Sequence, residues 1–168
     1  VVIDPVDSVR DLGVMLEDEL TMKLHISKTS SVCFYHLRRL RKLRPFLDSS
    51  TLQRLVSALI ISRVDYCNAV HAGLPAKTLA PLQRVLNAAA RLVSGAGPYD
   101  HITETLMSLH WLPIEFRIKF KLCLMMHSVV SGNSPQYIDD ITTPISSLVG
   151  HANLRSFPTG LFDVPRTR

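Results

Sequence analysis

Two adjacent carboxylates near the end of the sequence offer the most direct sign of chemistry. Tyr137-Ile138-Asp139-Asp140 places two aspartates behind an aromatic residue, and such a pair can hold Mg²⁺ at the tip of a β-hairpin. That site needs apolar strands on both sides and a third aspartate on a neighbouring strand. Here Ser131-Gly132-Asn133-Ser134-Pro135 comes first, which is typical of a loop followed by a helix start. The sequence therefore favours a polar helix face over a metal site.

Cysteine and histidine spacing gives a second candidate for chemistry. Cys33 and His36 are three residues apart and could supply two metal ligands from one helix, but no second pair stands at zinc-like spacing. Cys33 falls among apolar positions, which favours a buried thiol. The chain contains neither G-x-S-x-G, nor a phosphate-cradling glycine loop, nor H-E-x-x-H. The sequence therefore predicts no metal site and no self-contained active site.

The only tryptophan lies in His110-Trp111-Leu112-Pro113. Its ring could stack on a nucleic-acid base. A tryptophan beside Leu-Pro at a helix junction is more often a packing anchor, so we expect Trp111 to be buried.

The formal charge of +5 is unevenly distributed along the chain. Residues 1–20 hold six acidic residues and one basic residue, whereas residues 21–47 hold seven basic residues and no acidic one. This arrangement indicates an oriented electrostatic field, with a polyanion as the partner of the basic part. An ordinary solvated helix face would give the same pattern, and charge alone leaves both interpretations open.

Apolar periodicity predicts the elements that would position these residues. The chain is expected to be mainly α: a bundle of about five helices, with a short N-terminal β-hairpin or strand pair and an irregular C-terminal tail. Helices are predicted over about 22–43, 50–65, 78–94, 102–109 and 113–131, with one or two further turns at 135–141. The strands are predicted at Val1-Val2-Ile3 and Leu12–Leu16. Three regions follow from this: 1–20, 21–141 and 142–168.

The predicted helices carry specific expectations. In the first, Ile26, Cys33, Leu37 and Leu40 share an apolar stripe. In the second, Ser50 begins a capping box with Gln53, and the core-facing residues are Leu52, Val56, Leu59, Ile60 and Val64. The third has Pro81 in its first turn and ends at Gly95. The helix after Pro113 is apolar almost all round, so we expect it to be central.

Composition excludes several classes of protein. Apolar residues make up 46% of the 168 residues and charged residues 20%, which excludes disorder for most of the chain. No apolar stretch approaches the roughly 20 residues that cross a bilayer, and no signal peptide is recognisable. Three widely spaced cysteines favour reduced thiols inside a cell. Because the first residue is Val1, we interpret the chain as a piece of something longer.

Several segments, in order, resemble the end of a non-LTR (LINE-type, jockey-like) retrotransposon polyprotein. The likeness covers nearly the whole chain and rests on many motifs in register. They are Val9–Leu16, His25-Ile26, Leu43–Leu47, Ser62–Ala69, Gly73-Leu74-Pro75, Leu82-Gln83, Asn87–Val93, Leu109–Pro113, Arg117-Ile118, Phe120-Lys121 and Val164–Arg168.

The resemblance implies that the chain is the C-terminal part of a reverse transcriptase, an RNA-directed DNA polymerase. Residues 1–20 would be a remnant of the last palm strands, residues 21–141 the helical thumb and C-terminal domain, and residues 142–168 a loosely structured tail. The metal-binding aspartates would lie upstream of Val1, so the box at Asp139 and Asp140 would be a coincidence. The chain would then need no cofactor of its own, the Mg²⁺ belonging to the parent polymerase.

A thumb grips the template–primer duplex by its backbone, which requires basic and hydroxyl groups. We therefore expect an RNA–DNA or RNA template–primer duplex as partner, together with the rest of the parent polymerase, and no membrane. The expected location is intracellular, in the cytoplasm or nucleus. The alternative is a helical protein-interaction module, a repurposed or decayed fragment that docks an acidic partner. The expected nucleic-acid-binding residues are Lys28, Tyr35, Arg38, Arg39, Lys42, Arg84 and Arg91.

Overall fold

A computed structural model describes residues 6–97, 99–145 and 162–163 of the chain. In these residues, a two-stranded antiparallel sheet precedes a series of helices. The predicted mainly α fold with an N-terminal hairpin is therefore confirmed. The described residues divide into two compact units, with the boundary after Phe120. The predicted limits after residues 20 and 141 stay predictions, and most of the predicted tail lies outside the described residues.

The N-terminal sheet is a tight hairpin. Strand β1 (Ser8–Asp11) pairs antiparallel with β2 (Val14–Glu17). The two turn residues, Leu12 and Gly13, have φ of 44° and 89°, as a two-residue type I′ turn requires. The predicted strand at Leu12–Leu16 is wrong at its start, because the chain turns there. Its predicted partner, Val1-Val2-Ile3, lies outside the described residues.

Helix α1 (Lys23–Leu43) confirms the first predicted helix almost to the residue. Its predicted apolar stripe is buried throughout. The helix ends before Pro45, which has no N–H to donate and disfavours helical geometry at the preceding residue. A short 3₁₀ turn (Arg44–Phe46) follows.

The next helical path has three parts: α2 (Ser49–Val56), a π-turn (Ser57–Ile61) and α3 (Ser62–Asp65). It was predicted as one continuous α-helix, so the π-turn is a correction. The predicted core residues lie inward along this path. Leu52, Val56, Ile60 and Val64 are buried, and Leu59 is partly buried against the core.

The predicted capping box at Ser50 is wrong. The side chain of Asp48 caps α2 instead, with Oδ2 accepting from the Thr51 N–H at 3.0 Å. Asp48 has the extended backbone of an N-cap, whereas Ser50 is already inside the helix. Hydrogen bonds from Thr51 and Ser50 hold the pKa of the Asp48 carboxyl well below its usual range.

Helix α4 (Ala76–Ser94) follows a 3₁₀ turn at Asn68–His71 and begins two residues before the predicted start. Pro81 is consequently its sixth residue, so the prediction that it lies in the first turn is wrong. Because proline has no N–H, the Lys77 carbonyl lacks its usual helical donor. The predicted end is confirmed: Gly95 has φ of 82° and donates its N–H to Arg91 O at 2.9 Å.

Three further helices follow: α5 (Thr103–Ser108), α6 (Ile114–Val130) and α7 (Gln136–Asp139). The prediction that α6 is central is wrong, since only Ile114 and Ile118 are buried along it. The core is filled by other elements: α1 packs on α4, α2 packs on α4, and β2 packs on α1. Beyond Phe120, a short bridge joins Pro144 to Phe162, and Asp163 N–H donates to Thr143 O at 2.8 Å.

Candidate nucleic-acid interface

One face of α1 carries the basic residues that the sequence singled out. Because their stripe lies opposite the buried one on a 3.6-residue period, packing of the core turns them outward. All five are exposed. We call this set the basic face: Lys28, Tyr35, Arg38, Arg39 and Lys42.

Two contacts organise the basic face. Arg39 Nη1 donates to the Tyr35 hydroxyl at 3.3 Å, and the guanidinium carbon lies 5.6 Å from the Tyr35 ring centroid, within cation–π range. Lys28 Nζ lies 3.6 Å from Met15 Sδ in β2. Tyr35 and Arg39 therefore form a pair near the middle of the basic face. Lys28 lies at the end of the face that is next to the hairpin.

The positive charge of the basic face is uncompensated. In the described part of the chain, ion pairs join only Arg117 to Asp65 and Lys119 to Glu115. Helix α1 itself contains no acidic residue. Its last-turn cations, Arg41 and Lys42, favourably complement the negative end of the helix dipole. The face is thus free to attract an anion.

His36 reports on the electrostatic environment beside this face. Partial burial, followed by the charges of Arg63 and Arg39, lowers the pKa of the His36 imidazole. These influences favour the neutral form of His36. The two cations belong to different helices, Arg63 to α3 and Arg39 to α1.

The other two expected residues lie away from the basic face. Arg84 is exposed on α4, where it lines a groove between α4 and α1. Arg91 is half-buried and holds the loop after α4: Nε donates to Gly97 O at 3.1 Å and Nη2 to Asp100 O at 3.3 Å. The seven expected residues therefore separate into one cluster of five and two single positions.

The aspartate box lies in a helical setting. Tyr137-Ile138-Asp139 belongs to α7, and Asp140 directly follows it. Asp139 Oδ1 accepts a hydrogen bond from the Ser134 hydroxyl. Across the described residues, no group of three or more His, Cys, Asp or Glu side chains is placed to hold a metal ion. The prediction that the box lies on a polar helix face is confirmed by its place in and directly after α7.

Cys33 is fully buried, as expected. Burial raises the pKa of its thiol to about 11, so the buried thiol is protonated at neutral pH. All three cysteines are free, with Cys67 and Cys123 exposed.

Trp111 packs in the core, also as expected. Its side chain is buried, and its backbone N–H donates to Leu106 O at 2.8 Å. The indole consequently lies where a nucleic-acid base cannot stack on it.

Sequence reasoning missed three contacts between side chains or backbone groups that are distant in the sequence. Arg117 Nη1 pairs with Asp65 Oδ2 at 2.6 Å, and Ile114 N–H donates to Gln83 Oε1 at 2.9 Å. The buried rings of His25 and His71 have centroids 5.7 Å apart. Local spacing gives no signal for any of these pairs.

The chain has no match among family models, among curated proteins or among solved structures. No helix in the described residues is long and apolar enough to cross a membrane.

Proposed function

We propose that this chain binds the backbone of a nucleic-acid duplex through the basic face, as the thumb-like part of a non-LTR retrotransposon reverse transcriptase. The observation that carries the proposal is the exposed, uncompensated charge of α1, opposite the stripe that anchors the helix in the core. The motif resemblance supplies the polymerase context. The proposed partners are an RNA–DNA or RNA template–primer duplex and the rest of the parent polymerase, inside the cell in the cytoplasm or nucleus.

The chemistry of the basic face suits phosphates better than base edges. Lysine and arginine neutralise phosphate oxygens, and the Tyr35 hydroxyl can donate to one. In this proposal the fragment has no catalytic step of its own, and the Mg²⁺-binding aspartates belong to a preceding part of the polymerase.

Salt dependence tests the proposal. If the face meets three to five phosphates, log K for an RNA–DNA hybrid falls with log salt at a slope of about −3 to −4.5. The triple variant Arg38→Glu, Arg39→Glu, Lys42→Glu is expected to abolish binding. Fluorescence anisotropy with a labelled hybrid measures both effects, and circular dichroism checks that helicity is retained.

A matched control separates the face from total charge. Arg10, Arg54 and Lys121 are exposed cations outside the basic face. Changing those three to Glu gives the same net charge as the triple variant, and we expect only a modest loss of affinity from it. Equal losses of affinity in the two triple variants would show that net charge alone determines the interaction. Unchanged affinity for the hybrid in the variant Arg38→Glu, Arg39→Glu, Lys42→Glu would instead favour the protein-interaction module with an acidic partner.

A further inference from the structure

A groove with a volume of about 630 Å³ lies between α1 and the first half of α4. We call it the α1–α4 groove. Three cations line it, Lys23 and Lys77 and Arg84, and none of the described residues that line it is acidic. All three are exposed, and no ion pair engages them within the described chain. The groove therefore concentrates positive charge at a concave site, which the basic face does not offer.

A serine with a buried hydroxyl lines the same groove. Ser30 is only 6% exposed, and its Oγ has no hydrogen-bond partner among the described residues. Ser30 nevertheless lines the groove. Buried polar atoms nearly always have a hydrogen-bond partner, and a buried polar atom without one lowers the stability of the fold. A ligand oxygen in the groove would supply the missing partner.

The first turn of α4 contributes further donors. Pro75 is its N-cap and provides no side-chain cap. The first backbone bonds run from Thr78 and Leu79 to Pro75 O, so the N–H groups of Ala76 and Lys77 precede the helical ladder. They have no partner in the part of the chain described. The positive end of a 19-residue helix dipole therefore lies where Lys77 and Thr78 line the groove.

We propose that the α1–α4 groove is a phosphate-binding site. Three cations, the Ser30 hydroxyl and an uncapped helix N-terminus are all suited to a ligand that only accepts hydrogen bonds. A phosphate group has several such oxygens in a tetrahedral arrangement, and the fork of Arg84 can bind two of them. The phosphate comes either from a free phosphorylated small molecule or from a nucleic-acid strand. The site is separate from the basic face and does not depend on its proposed role.

Titration of the full chain with sodium phosphate tests the site, with sodium chloride at equal ionic strength as reference. We expect phosphate-specific amide shifts by NMR at Ser30, Lys77 and Thr78. The double variant Lys77→Gln, Arg84→Gln is expected to weaken phosphate binding at least about tenfold, since it removes two charged donors. The matched control Arg10→Gln, Arg54→Gln removes the same charge elsewhere and is expected to leave the affinity unchanged.

Ser30→Ala gives an independent reading of the buried hydroxyl. It is expected to weaken phosphate binding several-fold, while the alanine, which leaves no unpaired hydroxyl, keeps the protein folded. Phosphate affinity that is unchanged in both Ser30→Ala and the Lys77–Arg84 variant would overturn the proposal. Shifts spread equally over the basic face and the groove would overturn it as well.

Two further arms identify the source of the phosphate. If the Lys77–Arg84 variant also weakens binding of the hybrid, and free phosphate competes with the hybrid, the group belongs to a strand. If hybrid binding is unaffected while phosphate binding is lost, the ligand is a small phosphorylated molecule. The triple variant Arg38→Glu, Arg39→Glu, Lys42→Glu is expected to retain phosphate binding. This measurement therefore distinguishes a failure of the duplex-binding proposal from a failure of the phosphate-site proposal.

Discussion

His25 and His71 are two buried histidines in contact distance of each other, and each is held neutral. Burial, and then the neighbouring His25, lowers the pKa of His71 to about 4. Burial also lowers the pKa of His25, whose Nδ1 accepts from Met15 N–H at 3.3 Å. A proton on that nitrogen would remove the acceptor that ties β2 to α1. The pair therefore links acidity to the attachment of the hairpin.

The sign of the pH effect follows from the lowered pKa of His71. In the unfolded chain its pKa is about 6.5, so its contribution to folding is fully present above pH 6.5 and is lost as the pH falls towards 4. We expect a loss of up to about 3 kcal/mol in the free energy of unfolding from this group. His71→Leu should remove that part of the pH dependence, measured by urea unfolding at pH 7 and pH 4.5.

His101 provides the comparison for His71, because it is exposed. His101→Gln should keep the pH dependence of the original chain. If the His71 variant loses the same free energy between the two pH values, carboxylates rather than this imidazole cause the acid sensitivity.

The sequence predicts the surroundings of a single residue when burial alone determines them. Cys33 and Trp111 were correctly placed in the core, because their neighbours repeat at helical spacing or at a helix junction. Asp65 and Arg117 could not be paired, since 52 residues separate them and each taken alone is an ordinary surface charge. Ser30 was likewise invisible, because an unsatisfied hydroxyl becomes apparent only when its surroundings are known.

Within each secondary-structure element, a few residues determine where the helix begins or ends. Asp48 is the cap of α2, and its side chain satisfies an N–H that has no helical acceptor. Asp48→Ala should therefore lower the midpoint of thermal unfolding at pH 7. Ser50→Ala, at the residue first expected to be the cap, should change it much less. Equal effects would show that the Asp48 contact contributes nothing beyond a change of surface side chain.

Trp111 fixes the junction between α5 and α6. Truncating a buried indole removes apolar contact area and leaves a cavity, so Trp111→Ala should cost about 3–5 kcal/mol of stability. The exposed neighbour Leu112 supplies the control, and Leu112→Ala should cost less than about 1 kcal/mol. Urea unfolding followed by circular dichroism measures both. A loss below about 1 kcal/mol for Trp111→Ala would contradict its role in the core.

The sequence predicted helices well and their internal geometry poorly. Leu52, Val56, Ile60 and Val64 repeat at intervals of four, and this spacing predicts an ordinary α-helical stripe. In an ideal α-helix each such step drifts by about 40°, so the four side chains would wind away from the core. The wider π-turn at Ser57–Ile61 offsets this drift, and all four are buried. The strict four-residue spacing was the available signal.

For the molecule as a whole, surplus positive charge on α1 also affects stability. The cations of the basic face repel one another, because no described carboxylate pairs with them. Raising sodium chloride from low to moderate concentration should screen this repulsion and increase the free energy of unfolding. The variant Arg38→Gln, Arg39→Gln, Lys42→Gln should respond less to salt. An identical salt response in the original chain and in the variant would show that the repulsion lies outside the basic face.

The position of α6 could not be predicted from composition. Its apolar residues surround the helix on almost every side, and this usually indicates a central helix. Along α6, however, only Ile114 and Ile118 are buried. An apolar helix shows that partners are needed, but its sequence does not say how many of its faces the rest of the fold can cover.

The π-turn also changes how this chain should be aligned with any relative. A hydrogen bond from i to i+5 encloses one more residue than the i to i+4 bond of an α-helix, so the path from Ser49 to Asp65 holds a residue that a plain α-helix would not. A relative lacking the π-turn would need a one-residue gap between Ser57 and Ile61. Without the gap, every position from Ser62 to Asp65 would be compared with a neighbour about 100° away around the helix. Arg63 and Asp65 would then be misassigned even in a close homologue.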